Sequence, residues 1–111
     1  METTTTHLKR CDVIALKGRF DSNTAPDLEK TLGASMSQGV YHLVLDMAEV
    51  EYFGSAAIRA LVMAYKECRH LDRGDVRLAR VNQRVQHVLD LAGISPLVQA
   101  YDDLTLAVGS F

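Results

Sequence analysis

Hydrophobic and polar positions along this chain change period several times, and each change marks an element. Positions 8–17 alternate imperfectly around Val13, Ile14 and Leu16, which predicts one or two strands ending at Gly18. Thr24-Ala25-Pro26-Asp27 reads as a helix start, with a hydroxyl to cap, a proline in the first turn and an acid near the positive end of the dipole. Ala25, Leu28, Leu32 and Met36 then recur at three- and four-residue steps as one apolar face, and Gly39 closes that helix. Positions 40–47 form a nearly continuous apolar run, the kind that fills a strand covered by helices.

A second helix is predicted from Ser55 to about Leu71, with Ile58, Leu61, Val62, Tyr65 and Cys68 inward. Asp72-Arg73-Gly74-Asp75 makes the next turn and positions 76–80 read as a strand. Asn82 caps a third helix that turns Val85, Val88, Leu89 and Ala92 inward and ends at Gly93. Ser95-Pro96 breaks the chain before a short strand at 97–100, and Asp102-Asp103 opens a last helix with Leu104, Ala107 and Val108. Strands alternating with helices imply an α/β domain built on a parallel or mixed sheet. Residues 1–7, a threonine-rich stretch without an apolar run, are expected to be a flexible N-terminal segment and no secretory signal.

At 111 residues and 48% hydrophobic content, the chain has the size of one domain, 1–111, with a single core. The net charge of −2 comes with scattered Lys and Arg, so neither nucleic acid nor an anionic membrane surface is expected as a partner. No run is long enough to cross a bilayer. Cys11 and Cys68 lack metal-type spacing and read as buried or half-buried free thiols, which fits a cytoplasmic protein.

Catalytic constellations are missing. His7, His42, His70 and His87 are far apart, and no metal site is proposed. No glycine-rich run precedes a Lys-Ser or Lys-Thr pair, so no nucleotide or other cofactor is expected. A hydrolase elbow would need glycines two residues either side of Ser55, where Phe53 and Ala57 stand. Asp46, just after a predicted strand, invites comparison with phosphate-accepting receiver domains, but no paired acids follow the first strand; it is expected to be a solvated or capping carboxylate. The chain is therefore not expected to be an enzyme.

Ser55 is the most informative single residue. It stands where a strand pattern passes into a helix, at the positive end of the helix dipole beside unpaired backbone N–H groups that favour an anion. A serine there is either an N-cap or a switch.

Around that serine, Leu43 to Ile58 resembles the STAS domain, specifically the bacterial anti-sigma factor antagonists. Their signature there is an aspartate, a serine, a second small residue, a glycine and a leucine. Gly18-Arg19-Phe20-Asp21-Ser22-Asn23-Thr24-Ala25-Pro26 is similar to the family's stretch leading into its first helix, and positions 81–94 to its third helix and closing glycine. The likeness runs from about Val13 to Leu97. It implies a single STAS domain, a mixed or parallel sheet of four to five strands with about four helices packed mainly on one face.

The resemblance also implies a function. Ser55 falls on the serine that these antagonists carry as their phosphorylation site. The unphosphorylated form binds an anti-sigma factor serine kinase and releases the sigma factor, phosphorylation switches it off, and a PP2C-type phosphatase resets it. The chain departs from the pattern at three places: Gly54 stands for the usual aspartate, Ala57 for glycine, and Arg19 for a frequent glutamate. Gly54 leaves one negative charge fewer beside the serine. It also keeps an alternative open, a constitutive STAS scaffold or assembly subunit with Ser55 as a plain cap.

Asp21 is a turn acid by its Asp-Ser-Asn context, and the resemblance places it, with Ser22, Asn23 and Gly54, at the partner surface. On the second helix, the apolar stripe assigned above leaves Ala56, Arg59, Ala60 and Met63 pointing outward. An exposed methionine among small residues suits partner docking one to two turns beyond Ser55.

Overall fold

The computed structural model describes residues 1–111 as one mixed sheet with helices on both faces. The strands are β1 (Glu2–His7), β2 (Asp12–Phe20), β3 (His42–Phe53), β4 (Asp75–Ala79) and β5 (Ala100–Tyr101). They lie in sequence order across the sheet; β1 is antiparallel to β2 and every other pair is parallel. The helices are α1 (Ala25–Ser37), α2 (Ser55–Arg69), α3 (Gln83–Leu91) and α4 (Leu104–Gly109), and a short 3-10 turn, His70–Asp72, follows α2.

Because β2, β3, β4 and β5 step across the sheet in one direction, right-handed crossovers bring α1, α2 and α3 to the same face. Leu28, Leu32 and Met36 of α1, Leu61 and Cys68 of α2, and Val85 and Leu89 of α3 share one buried cluster with Ile14, Leu16, Leu43, Leu45 and Leu78 from the sheet. α4 has no strand after it and folds onto the opposite face, where Ala107 joins Cys11, Val13, Val44 and Ala79. Both cysteines are buried free thiols, and burial pushes the Cys68 thiol up to about 12.

Residues 1–7 depart from the expected flexible segment. Glu2 to His7 form the edge strand, in register from Glu2 with Lys17 to His7 with Asp12. β-Branched threonine suits a pleated surface without any apolar alternation, and β2 supplies the ladder that an isolated strand lacks. The last strand is also shorter and later than expected: the chain turns through Ile94 and Val98, both buried, before pairing at Ala100.

Asp46 is a further correction. Its side chain is buried and its two oxygens accept from Arg80 at 3.0 and 2.5 Å, a bidentate pair joining the middle of β3 to the residue just past the end of β4. Arg80 lies just past the end of β4, out of sight of any local pattern around Asp46.

Beyond that pair β3 runs on without β4 beside it. Two of its carbonyls are satisfied from the start of α3 instead: Asn82 donates to Val50 at 2.8 Å and Arg84 to Glu51 at 3.3 Å. Asn82 also caps α3 as expected, its Oδ1 accepting the Val85 N–H at 2.9 Å. The projecting end of β3 is thus tied to the start of α3, and the serine follows two residues after it.

Candidate functional site

β2 and β3 end together. Phe20 pairs with Phe53, their rings lie 6.1 Å apart, and the Gly54 N–H donates to the Phe20 carbonyl at 2.9 Å. Both phenylalanines are fully buried, so this end of the sheet is anchored in the core. One residue past that hydrogen bond on each chain segment come Asp21 and Ser55, which places both at the carboxyl edge of two parallel strands.

Ser55 is the first residue of α2 and is exposed. It is not the cap. Gly54 holds that position with extended backbone, its carbonyl accepting the Ile58 N–H at 2.9 Å, and no side chain caps the helix. The amides ahead of Ile58 therefore lack intrahelical partners, and the first turn of α2 contains no acid. Of the two roles open to this serine, the fold does not use the structural one.

Asp21 is committed locally. Its Oδ1 accepts from the Asn23 N–H at 2.9 Å, the Thr24 N–H at 3.2 Å and the Thr24 hydroxyl at 3.3 Å. These bonds, led by that from Asn23, hold its carboxyl below the usual carboxylate range. Thr24, expected to cap α1 through its hydroxyl, instead turns that hydroxyl back toward the strand end, donating to the Arg19 carbonyl at 3.1 Å. Ser22 and Asn23 are exposed on the same turn.

The face of α2 is rotated relative to expectation. Ala57, Ala60, Leu61, Ala64 and Cys68 are its buried residues, while Ile58, Val62 and Tyr65 are only half-buried. Ala60, expected on the outer face, is 2% exposed. The reason is the neighbouring helix: α1 packs against α2, and alanines permit close approach where larger side chains do not. Arg59 and Met63 are exposed as expected, Met63 at 61%, and Ala56 is intermediate. Ser55, Arg59 and Met63, four residues apart, form one exposed strip down α2.

Gly54, expected at the partner surface, is itself buried because Tyr52 covers it. Arg19 stacks its guanidinium 4.6 Å from the centre of the Tyr52 ring. Neither Tyr52 nor its pairing with Arg19 was singled out in the sequence. The available signal was an aromatic two residues ahead of a glycine, at a position where the family carries a side chain.

A match to the STAS domain family covers residues 2–107. The chain belongs to that family. Among its relatives is BtrV of Bordetella bronchiseptica, named as a candidate anti-sigma factor antagonist, which is 25% identical over 99 residues, or 89% of this chain and 84% of that protein. An anti-sigma factor antagonist from Mycobacterium paratuberculosis superposes with a TM-score of 0.89 at 23% identity, covering 98% of this chain and 92% of that one. SpoIIAA, an anti-sigma factor antagonist, shares the fold in its unphosphorylated form with a TM-score of 0.77 at 14% identity, over 98% of this chain and 96% of its own; its phosphorylated form, described as a Bacillus cell fate determinant, aligns at 0.75. No helix of this STAS domain is long and apolar enough to cross a membrane. In this STAS domain the order of elements brings the turn before α1 and the start of α2 to one end of the sheet, with Ser55 exposed between them.

Proposed function

We propose that this STAS domain is a cytoplasmic anti-sigma factor antagonist that works by partner switching. Unphosphorylated, it docks onto an anti-sigma factor that is also a serine kinase, and so frees the sigma factor. The contact is made by the exposed strip of α2, Ser55, Arg59 and Met63, with the half-buried Ala56 beside it, together with the turn Asp21, Ser22 and Asn23. The kinase then transfers the γ-phosphoryl group of ATP to Ser55: an Oγ–P bond forms, the bond to ADP breaks, and the hydroxyl proton leaves to a base on the kinase. A PP2C-type phosphatase hydrolyses the ester and restores the docking form.

One observation carries this reading: the Ser55 hydroxyl is exposed at the start of α2 and caps nothing. Phosphorylation adds roughly 1.5 to 2 negative charges and a bulky group in the middle of the contact strip. At a helix N-terminus the same charge is locally favourable, so docking fails while the fold survives. The shared fold of SpoIIAA, described in both unphosphorylated and phosphorylated forms, supports compatibility of the fold with such a group.

The test is titration of wild-type, Ser55→Ala and Ser55→Asp protein against a candidate anti-sigma factor kinase from the same cell, with phosphate incorporation from ATP followed by intact mass. Wild type accepts one phosphate, Ser55→Ala accepts none and still binds, and Ser55→Asp binds weakly while remaining folded. Equal binding by Ser55→Asp and wild type would instead favour a constitutive scaffold.

A further inference from the structure

The ion pairs of the fold, His7 with Asp12, Arg69 and Arg77 with Asp75, and Arg80 with Asp46, leave out an arginine near the end of β2, the strand that finishes beside the start of α2. Arg19 is exposed near the end of β2, directly across from Tyr52 of β3. Its guanidinium rests on the Tyr52 ring, 4.6 Å from the ring centre. The far edge of the same ring lies over Gly54, so that a Cβ at that residue would meet Cε2 at 2.8 Å and the hydroxyl oxygen at 2.9 Å. Gly54 is bonded to Ser55. Guanidinium, ring, glycine and serine thus form a continuous row, with the cation one aromatic ring away from the backbone that bears the hydroxyl.

No acid forms an ion pair with that cation, although Asp21, two residues further on, feels its charge. Asp21 spends Oδ1 on the Asn23 and Thr24 amides and the Thr24 hydroxyl. Glu51 is the residue left without a β2 partner in the neighbouring bulge of β3, where the register shifts between Gly18 and Arg19. Position 54, where the family's acid would stand, has no side chain, and a Cβ there would meet the Tyr52 ring on which Arg19 rests.

We propose that Arg19 is the counter-ion of phosphorylated Ser55, held on the Tyr52 ring while the serine is unmodified. This rests on the reading of Ser55 as the phosphorylation site. A cation stacked on an exposed ring is weakly held, whereas a guanidinium fits a phosphate with two parallel, charge-assisted N–H donors. Rotation of the arginine side chain transfers the guanidinium from ring to phosphate without moving β2, whose end is fixed by the Phe20–Gly54 hydrogen bond. Phosphorylation then alters the contact surface twice, once by adding the phosphate and once by withdrawing Arg19 from the face of Tyr52. Glycine at position 54 serves the device in two ways: it makes room for the ring that holds the arginine, and it removes the carboxylate that would compete for it.

The experiment uses the full chain with phosphoserine genetically encoded at position 55, so that no kinase or partner is needed. Phosphorus NMR follows the second ionisation of the phosphate in the wild type, in Arg19→Gln and in Arg19→Lys. Loss of the cation in Arg19→Gln raises the phosphate pKa by roughly half a unit to one unit, the scale for one opposite charge at an exposed site. Arg19→Lys recovers part of the shift, since it keeps the charge without the fork. Identical phosphate pKa values in wild type and Arg19→Gln, with both proteins melting cooperatively, overturn the proposal. That outcome leaves the switch itself intact; conversely, a phosphate that fails to weaken docking removes the switch and leaves the Arg19 result standing.

Discussion

The ring of Tyr52 lies across the backbone of Gly54, closing the space a side chain would need: a Cβ there would come within 2.8 to 3.1 Å of two ring carbons and the hydroxyl oxygen. Two positions that look independent along the chain are therefore one packing decision. Tyr52 is itself 42% exposed, so the ring has somewhere to go.

Restoring the family's acid with Gly54→Asp forces that ring outward and breaks its stack with Arg19. Because the obstacle is the far end of an exposed side chain, the loss is expected to stay below about 1 kcal/mol. In a Tyr52→Ser background the same change is expected to cost nothing. Urea denaturation of the four proteins in a double-mutant cycle measures the coupling, and additive effects would show that ring and glycine are not linked.

Ser55→Ala separates a cap from a free hydroxyl. Loss of a capping serine costs about 1 kcal/mol, whereas a surface change away from such contacts stays within about 0.5 kcal/mol. With Gly54 at the cap position, the smaller value is expected. Thermal denaturation followed by circular dichroism reads the difference directly, and a loss near the larger value would return Ser55 to a structural role.

Two neighbouring positions on α2 should behave oppositely. Ala60 is buried against α1, so Ala60→Arg is expected to destabilise the domain by about 3 kcal/mol or more, as overpacking combined with an unpaired buried charge. Met63→Glu should leave stability nearly unchanged and weaken docking to the anti-sigma factor by well over about 1 kcal/mol. Chemical denaturation and calorimetric titration of the same two proteins test the assignment; wild-type affinity in Met63→Glu would remove that residue from the interface.

Asp21 links the start of α1 to pH. Its folded carboxyl is held below the ordinary value, chiefly by the Asn23 amide, so the ionised form is the stabilising one. The contribution is fully present above the ordinary carboxylate value and is lost as pH falls through the lower folded value. Stability of wild type minus that of Asp21→Asn should therefore be largest near neutrality and shrink in acid. A difference that does not vary with pH would mean that the carboxylate charge plays no part.

Local chemistry along the chain was enough for the alternation of strands and helices, the Asn82 cap, the start of α2 at Ser55, and the exposure of Arg59 and Met63. Each depends on neighbours within about one helical turn or on alternation along a strand, which are legible in one dimension. The inward face of α2 was legible only in part. The pattern within α2 favours its large apolar residues over the alanine stripe, because the close approach of α1 is not a property of α2.

What the sequence by itself determined is the order and type of the central elements and the position of one serine at a strand-to-helix junction. The tertiary structure alone decided the rest. It made residues 1–7 a strand, because an edge strand needs a partner ladder; it turned Asp46 into a buried ion pair, because Arg80 arrives 34 residues later. It also set Arg19 on Tyr52 and Tyr52 over Gly54, through pairing between β2 and β3 across more than thirty positions of chain. Contacts between side chains distant in sequence follow from register and packing, which no local pattern of hydrophobic and polar residues encodes.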